Sequence, residues 1–242
     1  MPVLSRAEGP VLSEAEGPRP NVAGIDLASS PEYGAKRYNR VGLAALAPDL
    51  AVLRLEAGPF DDDRIAAFVV ETNAEVVAID APLSLPAGRC CADDSCPCAR
   101  FGRVRAIDRA CFALGLRPFP ALIPSMRGLT LRGIALKDRF QSLPAGRRGL
   151  SLTVIEVFPG AVQDMLRLPR KQAGLRRLLA GLRRLGLRDL GDVRPDGDQL
   201  DALTAAYMAH LYRQGRYWVM AAPGETPLIF PDPRAPGPKL VA

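Results

Sequence analysis

Histidine is nearly absent from this chain of 242 residues: His210 is the only one, and tryptophan also occurs once. Aromatic residues make up 6% of the whole. A stacking platform for single-stranded nucleic acid needs more aromatic surface than this composition makes evident. No Ser or Cys sits in an elbow of the G-x-S-x-G kind, and the lone histidine leaves nucleophile–histidine catalysis weakly supported. No uninterrupted apolar run approaches the roughly 18 residues of a membrane-spanning helix. The N-terminus has no apolar stretch behind a basic start, so no export signal is expected. A reducing, cytoplasmic setting follows, in which disulfides rarely persist.

What is present is ordinary for a globular protein, with 48% hydrophobic and 24% charged residues. Collagen, coiled coil and wholesale disorder are excluded. Residues 3–10 (VLSRAEGP) and 11–18 (VLSEAEGP) form a direct repeat. Two copies are too few for a solenoid. Residues 1–20 are therefore read as a low-complexity leader, residues 21–231 as the folded domain, and residues 232–242 as a Pro-rich tail.

Apolar patterning within 21–231 predicts strands at 21–28, 37–46 and 50–57, joined closely enough for an antiparallel meander. Asp61, Asp62 and Asp63 open a helix over 60–73. A strand at 75–82 follows, then an irregular, cysteine-rich stretch over 83–103. A helix is expected at 104–115, with short helices at best over 116–150. A strand at 151–159, helices near 160–167, 172–185 and 198–214, and a short strand at 227–230 complete the reading. This order implies an α/β domain: a mixed five-stranded sheet, three meander strands plus parallel strands, flanked by helices and carrying a long irregular insertion. Ribonuclease-H-like domains use that element order, and actin-like kinases use it in duplicate.

Three acids interrupt apolar strands near their carboxyl ends: Asp26 in VAGIDLA, Asp80 in VVAIDAP and Glu156 in TVIEVFP. Taken singly, a strand-end acid usually serves as a turn former or cap. Three on neighbouring core strands would repel one another and call for cations. Asp201 opens the long last helix, followed by the small residues of Ala202-Leu203-Thr204-Ala205-Ala206, which permit close packing on a sheet. An all-oxygen set suits Mg²⁺ or Mn²⁺. Two such ions held by Asp26, Asp80, Glu156 and Asp201 would hydrolyse a phosphodiester, with Asp26 bridging them. His210 lies nine residues beyond Asp201. That is about 180° around the helix, a core-edge position rather than a ligand.

At these residues the chain resembles domain-of-unknown-function family 429. The motifs are Gly24-Ile25-Asp26, Ile79-Asp80-Ala81-Pro82, Pro124-Ser125-Met126-Arg127-Gly128-Leu129, Ile155-Glu156-Val157-Phe158-Pro159 and Asp201-Ala202-Leu203-Thr204-Ala205-Ala206. The resemblance spans about residues 21–231. It implies a ribonuclease H fold and a metal-dependent nuclease. Asp201-Ala202-Leu203 with His210 is also similar to the last helix of RuvC-type resolvases, whose final acids bind metal.

The net charge is +6. Residues 100–148 hold eleven Lys and Arg against two acids, and residues 167–188 hold eight against none. These stretches can attract phosphates, and Arg105, Arg109, Arg127 and Lys171 are the candidate nucleic-acid contacts. Solvated arginine-rich faces are the bland alternative. Cys90, Cys91, Cys96 and Cys98 crowd into nine residues, and Cys111 lies beyond them. Four of the five would close a structural zinc site if the loop folds back, and the set taken here is Cys90, Cys96, Cys98 and Cys111. Their spacing departs from the paired C-x₂-C knuckle, so reduced, partly buried thiols are the alternative. Two rival functions stand beside the nuclease. One is an actin-like phosphotransferase, since residues 24–30 (GIDLASS) resemble a phosphate-binding strand turn. The other is a non-catalytic nucleic-acid-binding protein.

Overall fold

Alternation along the strands decides the architecture. In β2 (Asn21–Asp26), Val22 faces one side of the sheet while Ala23 and Ile25 face the other, and all three are fully buried. A strand buried on both faces must be covered twice. The computed structural model, which describes residues 3–5, 20–142 and 152–232, has this three-layer arrangement.

The meander is as expected. β2 pairs antiparallel with β3 (Val41–Leu46), and β3 pairs antiparallel with β4 (Val52–Gly58). On its other edge β2 pairs in parallel with β5 (Ala74–Asp80), and β5 pairs in parallel with β6 (Thr153–Glu156). The sheet does not stop at five strands. β8 (Leu228–Pro231) joins β6 in parallel, and β7 (Tyr217–Ala221) pairs antiparallel with β8. Residues 21–231 thus contribute seven strands, in the order β7-β8-β6-β5-β2-β3-β4. β1 (Val3–Ser5), within the repeated leader, adds an edge strand against β7. Residues 6–19, Arg147, Arg148 and the tail from 233 lie outside the described residues.

Helices α4 (Pro159–Met165), α5 (Leu175–Arg184) and α6 (Gly197–Arg213) cover the Val22 face. Helices α1 (Asp62–Glu71) and α3 (Arg127–Gln141) cover the Ile25 face. α2 (Ala106–Ala113) packs beside β7 and β8 through Ile107 and Cys111. The acids at 61–63 act as a helix start: Asp61 Oδ1 accepts from the Arg64 amide at 2.7 Å. Among the described residues no helix is long and apolar enough to cross a membrane.

α3 is a correction. Residues 127–141 form one continuous helix where short pieces were expected. Gly128 and Gly133 lower its intrinsic propensity, by about 1 kcal/mol each relative to alanine. Tertiary contacts demand them, because a Cβ on Gly128 would strike the Tyr33 carbonyl and one on Gly133 the Pro82 carbonyl. Arg132, fully buried, then ties the helix down, donating to Asp62 Oδ1 at 2.7 Å, the Ala28 carbonyl at 2.5 Å and the Phe60 carbonyl at 2.7 Å.

α6 lies against the sheet backbone to backbone. A Cβ on Gly24 would overlap the Ala202 carbonyl and the Ala206 amide, and one on Gly42 would overlap the Asp198 carbonyl. Ala202, Ala205, Ala206 and Ala209 are fully buried along the helix. Because backbone cannot swing aside, Gly24→Ala is expected to cost about 3 kcal/mol or more as overpacking. Urea denaturation checks this; a loss below about 1 kcal/mol would mean that α6 has room to lift away.

Candidate active site

β2 and β5 are parallel and in register, with Asp26 opposite Asp80 at their carboxyl ends. Neighbouring strands lie about 4.8 Å apart, so the two carboxyls start side by side. Glu156 ends β6, one step out of register, opposite Ile79. Asp201, on the first turns of α6, reaches over from the helix layer, and the Gly24 contact sets its height above the sheet. All four acids line one cleft of about 500 Å³. Arg105, Arg117, Arg170, Lys171 and Gln163 line it too, with Phe119 and Phe158.

The acids divide into two groups. Asp26, Asp80 and Asp201 lie within electrostatic reach of one another and of Lys171. Lys171 Nζ sits 2.5 Å from Asp201 Oδ2, and Gln163 Nε2 donates to Asp201 Oδ1 at 2.8 Å. Burial, then repulsion from Asp80 and Asp201, pushes Asp26 up to about 9. Burial and the Asp201 charge push Asp80 up to about 8. Lys171 offsets only part of this, so without a further cation ionisation of the pair is displaced upward. Asp26 and Asp80, raised by burial and mutual repulsion, together with the Asp201 carboxylate beside them, offer three oxygen donors that fit a hard divalent ion.

Glu156 is differently placed. It is buried, and its oxygens accept from Arg105 Nη1 at 2.8 Å, Arg105 Nη2 at 2.6 Å and the Leu83 amide at 2.8 Å. The same guanidinium binds Asp108 Oδ1 through Nε at 3.1 Å and Nη2 at 2.9 Å. Burial raises the Glu156 carboxyl and Arg105 opposes it, with a net upward displacement. Arg105 is 2% exposed, so its donors are committed inside the wall of the cleft.

The remaining expected contacts scatter. Arg127 pairs with Asp94 in the cysteine-rich loop. Arg109 donates to the Val104 carbonyl at 2.7 Å. Of the four candidate phosphate contacts, Lys171 and Arg105 line the cleft, and Lys171 is the more open to solvent of the two. Arg117, Arg170 and Gln163 were not anticipated. Gln163 follows Glu156 by seven residues, but only its burial against Asp201 and Thr204 reveals its role. His210 is buried at the far end of α6, stacked on Tyr207 and bonded to Gln214.

The cysteine set also needs correction. The Sγ atoms of Cys90, Cys91, Cys96 and Cys98 all lie within 4.8 Å of one another. Cys111 is buried elsewhere, its Sγ 3.6 Å from Met220 Sδ between α2 and β7. Cys91, not Cys111, is the fourth member, because α2 turns its apolar face to the sheet and carries Cys111 with it.

Fold and cleft together define an α/β protein in which adjacent parallel strands end in carboxyls beneath a basic wall. The chain belongs to the family described as Protein of unknown function (DUF429), whose model matches residues 24–226 and so includes every cleft acid. No curated protein and no solved structure matches the chain.

Two outcomes are expected. Arg105→Met leaves Glu156 buried without its partner and should cost about 3–5 kcal/mol, partly recovered by adding Glu156→Gln. No recovery in the double variant would mean that Arg105 matters through packing alone. Asp26 and Asp80 have folded pKa values above their unfolded ones, so between about pH 4 and pH 9 the folded state holds the extra protons. Stability in buffers freed of Mg²⁺ and Mn²⁺ should therefore fall as pH rises through that window, and Asp26→Asn should flatten the fall. A denaturation midpoint that climbs from about pH 5 to pH 9 in the unsubstituted protein would contradict it.

Proposed function

We propose that the protein is a metal-dependent nuclease with a ribonuclease H-like fold, cleaving phosphodiester bonds of DNA or RNA. The observation that carries this reading is the registered pair Asp26 and Asp80, joined by Asp201 from α6, in a cleft also lined by Arg105, Arg117, Arg170 and Lys171 and by Glu156, which is paired with Arg105. The β4-β3-β2-β5-β6 portion of the sheet, with β3 antiparallel to the rest, supports the fold assignment, since ribonuclease-H-like sheets are built in that order. β7 and β8 extend it at the β6 edge.

Asp26, Asp80 and Asp201 would hold Mg²⁺ or Mn²⁺. Such an ion lowers the pKa of an attacking water and stabilises charge on the phosphoryl oxygens. The expected four-acid, two-ion scheme is narrowed by the pairing of Glu156. Its oxygens are occupied by Arg105 and the Leu83 amide, so its part in this reading is to keep Arg105 folded into the cleft wall. Lys171 balances the carboxyls when no substrate is present and stands where an incoming phosphate would pass. Arg170, stacked over the Phe158 ring at 5.7 Å, and Arg117 add donors on the same wall. Phe119, 68% exposed at the cleft, offers an apolar surface to a sugar or base.

The test uses labelled single-stranded, double-stranded, hybrid and branched substrates with Mn²⁺ or Mg²⁺, beside Asp26→Asn. Cleavage should require the metal and fall at least about 100-fold in the variant, a loss of a directly acting group. Binding should weaken linearly in the logarithm of salt concentration. Equal cleavage by both proteins, or none by either, rejects the reading. Salt-dependent binding without cleavage would point to a nucleic-acid-binding protein instead.

A further inference from the structure

The loop over residues 86–103 folds back on itself and brings four thiols together. The Arg89 amide donates to the Pro86 carbonyl at 2.9 Å, closing a turn at Gly88, whose φ of 89° suits glycine. Asp93 then bonds the Ser95 amide at 2.9 Å and its hydroxyl at 2.7 Å. Pro97 opens a 3₁₀ turn through Phe101, in which the Ala99 amide donates to the Cys96 carbonyl at 2.8 Å. These three reversals place Cys90 against Cys96 and Cys91 against Cys98, each pair 3.7 Å apart at sulfur.

That separation is informative. A disulfide needs about 2.05 Å, so these sulfurs are not bonded. Zn–S bonds of about 2.3 Å at tetrahedral angles put neighbouring sulfurs about 3.8 Å apart. The surroundings also suit a metal tetrathiolate, which carries net negative charge. The Arg89 guanidinium is buried inside the loop, donating to the Cys91 carbonyl at 3.0 Å and the Asp93 carbonyl at 3.3 Å. Its Nη1 is buried with no hydrogen-bond partner. Arg103 and Arg127 converge on Asp94, between the two halves of the cluster in sequence.

The geometry points to a structural zinc site formed by Cys90, Cys91, Cys96 and Cys98, clamping a loop that braces the 117–129 stretch lining the cleft. The connection to that stretch is direct. Asp94 pairs with Arg127 at the start of α3, and the Arg103 carbonyl accepts from the Leu122 amide at 3.1 Å. Ala92 packs with Ala121 and Leu122. The same stretch supplies Met126 and Leu129 to the cleft. The apolar cluster beneath the loop is small, and bound metal would add folding energy to the turns and ion pairs that hold it. The site is independent of the nuclease reading, since none of its ligands lines the cleft.

The test is metal content after purification without chelator. About one equivalent of zinc is expected, and Cys90→Ser and Cys98→Ser should each lower it below about a tenth. Cys90 is exposed, so its replacement should spare the fold, and Cys111→Ser and Asp26→Asn should both retain zinc. Cobalt exchanged into the protein should give the visible bands of tetrahedral thiolate coordination. Chelation should speed trypsin cleavage at Arg100 and Arg103 and leave cleavage at the other sites unchanged. Zinc below about a tenth of an equivalent in the unsubstituted protein, zinc retained in both Cys90→Ser and Cys98→Ser, or two disulfides by mass would each overturn the proposal.

Discussion

The close approach of α6 to the centre of the sheet is the constraint on which the rest depends. Gly24 and Gly42 leave no side chain between helix and strand, and the alanines of α6 occupy the space. A helix held at that distance can bring Asp201 down to the level of Asp26 and Asp80. One larger residue at Gly24 would lift the helix and separate the three carboxyls, whatever their chemistry. Packing and site share one cause: the small residues that allow the core to close also set the spacing of the charges.

Those charges are costly to gather, and two different cations deal with them. Arg105 is buried between Glu156 and Asp108 and makes a fixed, fully hydrogen-bonded network inside the wall. Such a network stabilises mainly by avoiding unpaired buried charge, and it holds its members still. Lys171 is part-exposed on a short 3₁₀ turn, Lys171–Ala173, and meets Asp201 from the solvent side. It leaves Asp26 and Asp80 undercompensated, and burial with mutual repulsion displaces their ionisation upward. The cleft is therefore rigid where Glu156 sits and responsive to added cations where the aspartates sit.

Local patterning made much of this legible. The apolar runs around Asp26, Asp80 and Glu156 identified β2, β5 and β6, because a strand covered on both faces is apolar throughout. The small-residue run after Asp201 announced a helix packed tightly on a sheet. β7 escaped notice because Tyr217–Ala221 follows α6 after a three-residue link and lacks the alternation that marks a half-buried strand. α3 escaped because Gly128 and Gly133 read as breakers, whereas each is dictated by a carbonyl from a distant segment. The grouping of Cys91 with Cys90, Cys96 and Cys98 depended on three successive turns, and spacing alone does not reveal such turns.

By itself, then, the sequence determined the element order, the positions of four acids near strand and helix ends, and a uniformly apolar environment around three of them. Periodicity and burial are local properties, and a strand or helix of this kind writes them into consecutive residues. Only the tertiary structure decided which acids are open to a ligand. Arg105 and Glu156 are 51 positions apart, and Lys171 and Asp201 are 30 apart. Nothing in either segment names its partner. The pairing follows from the parallel register of β5 and β6 and from the height of α6 over Gly24, and both are set by the packing of the whole sheet.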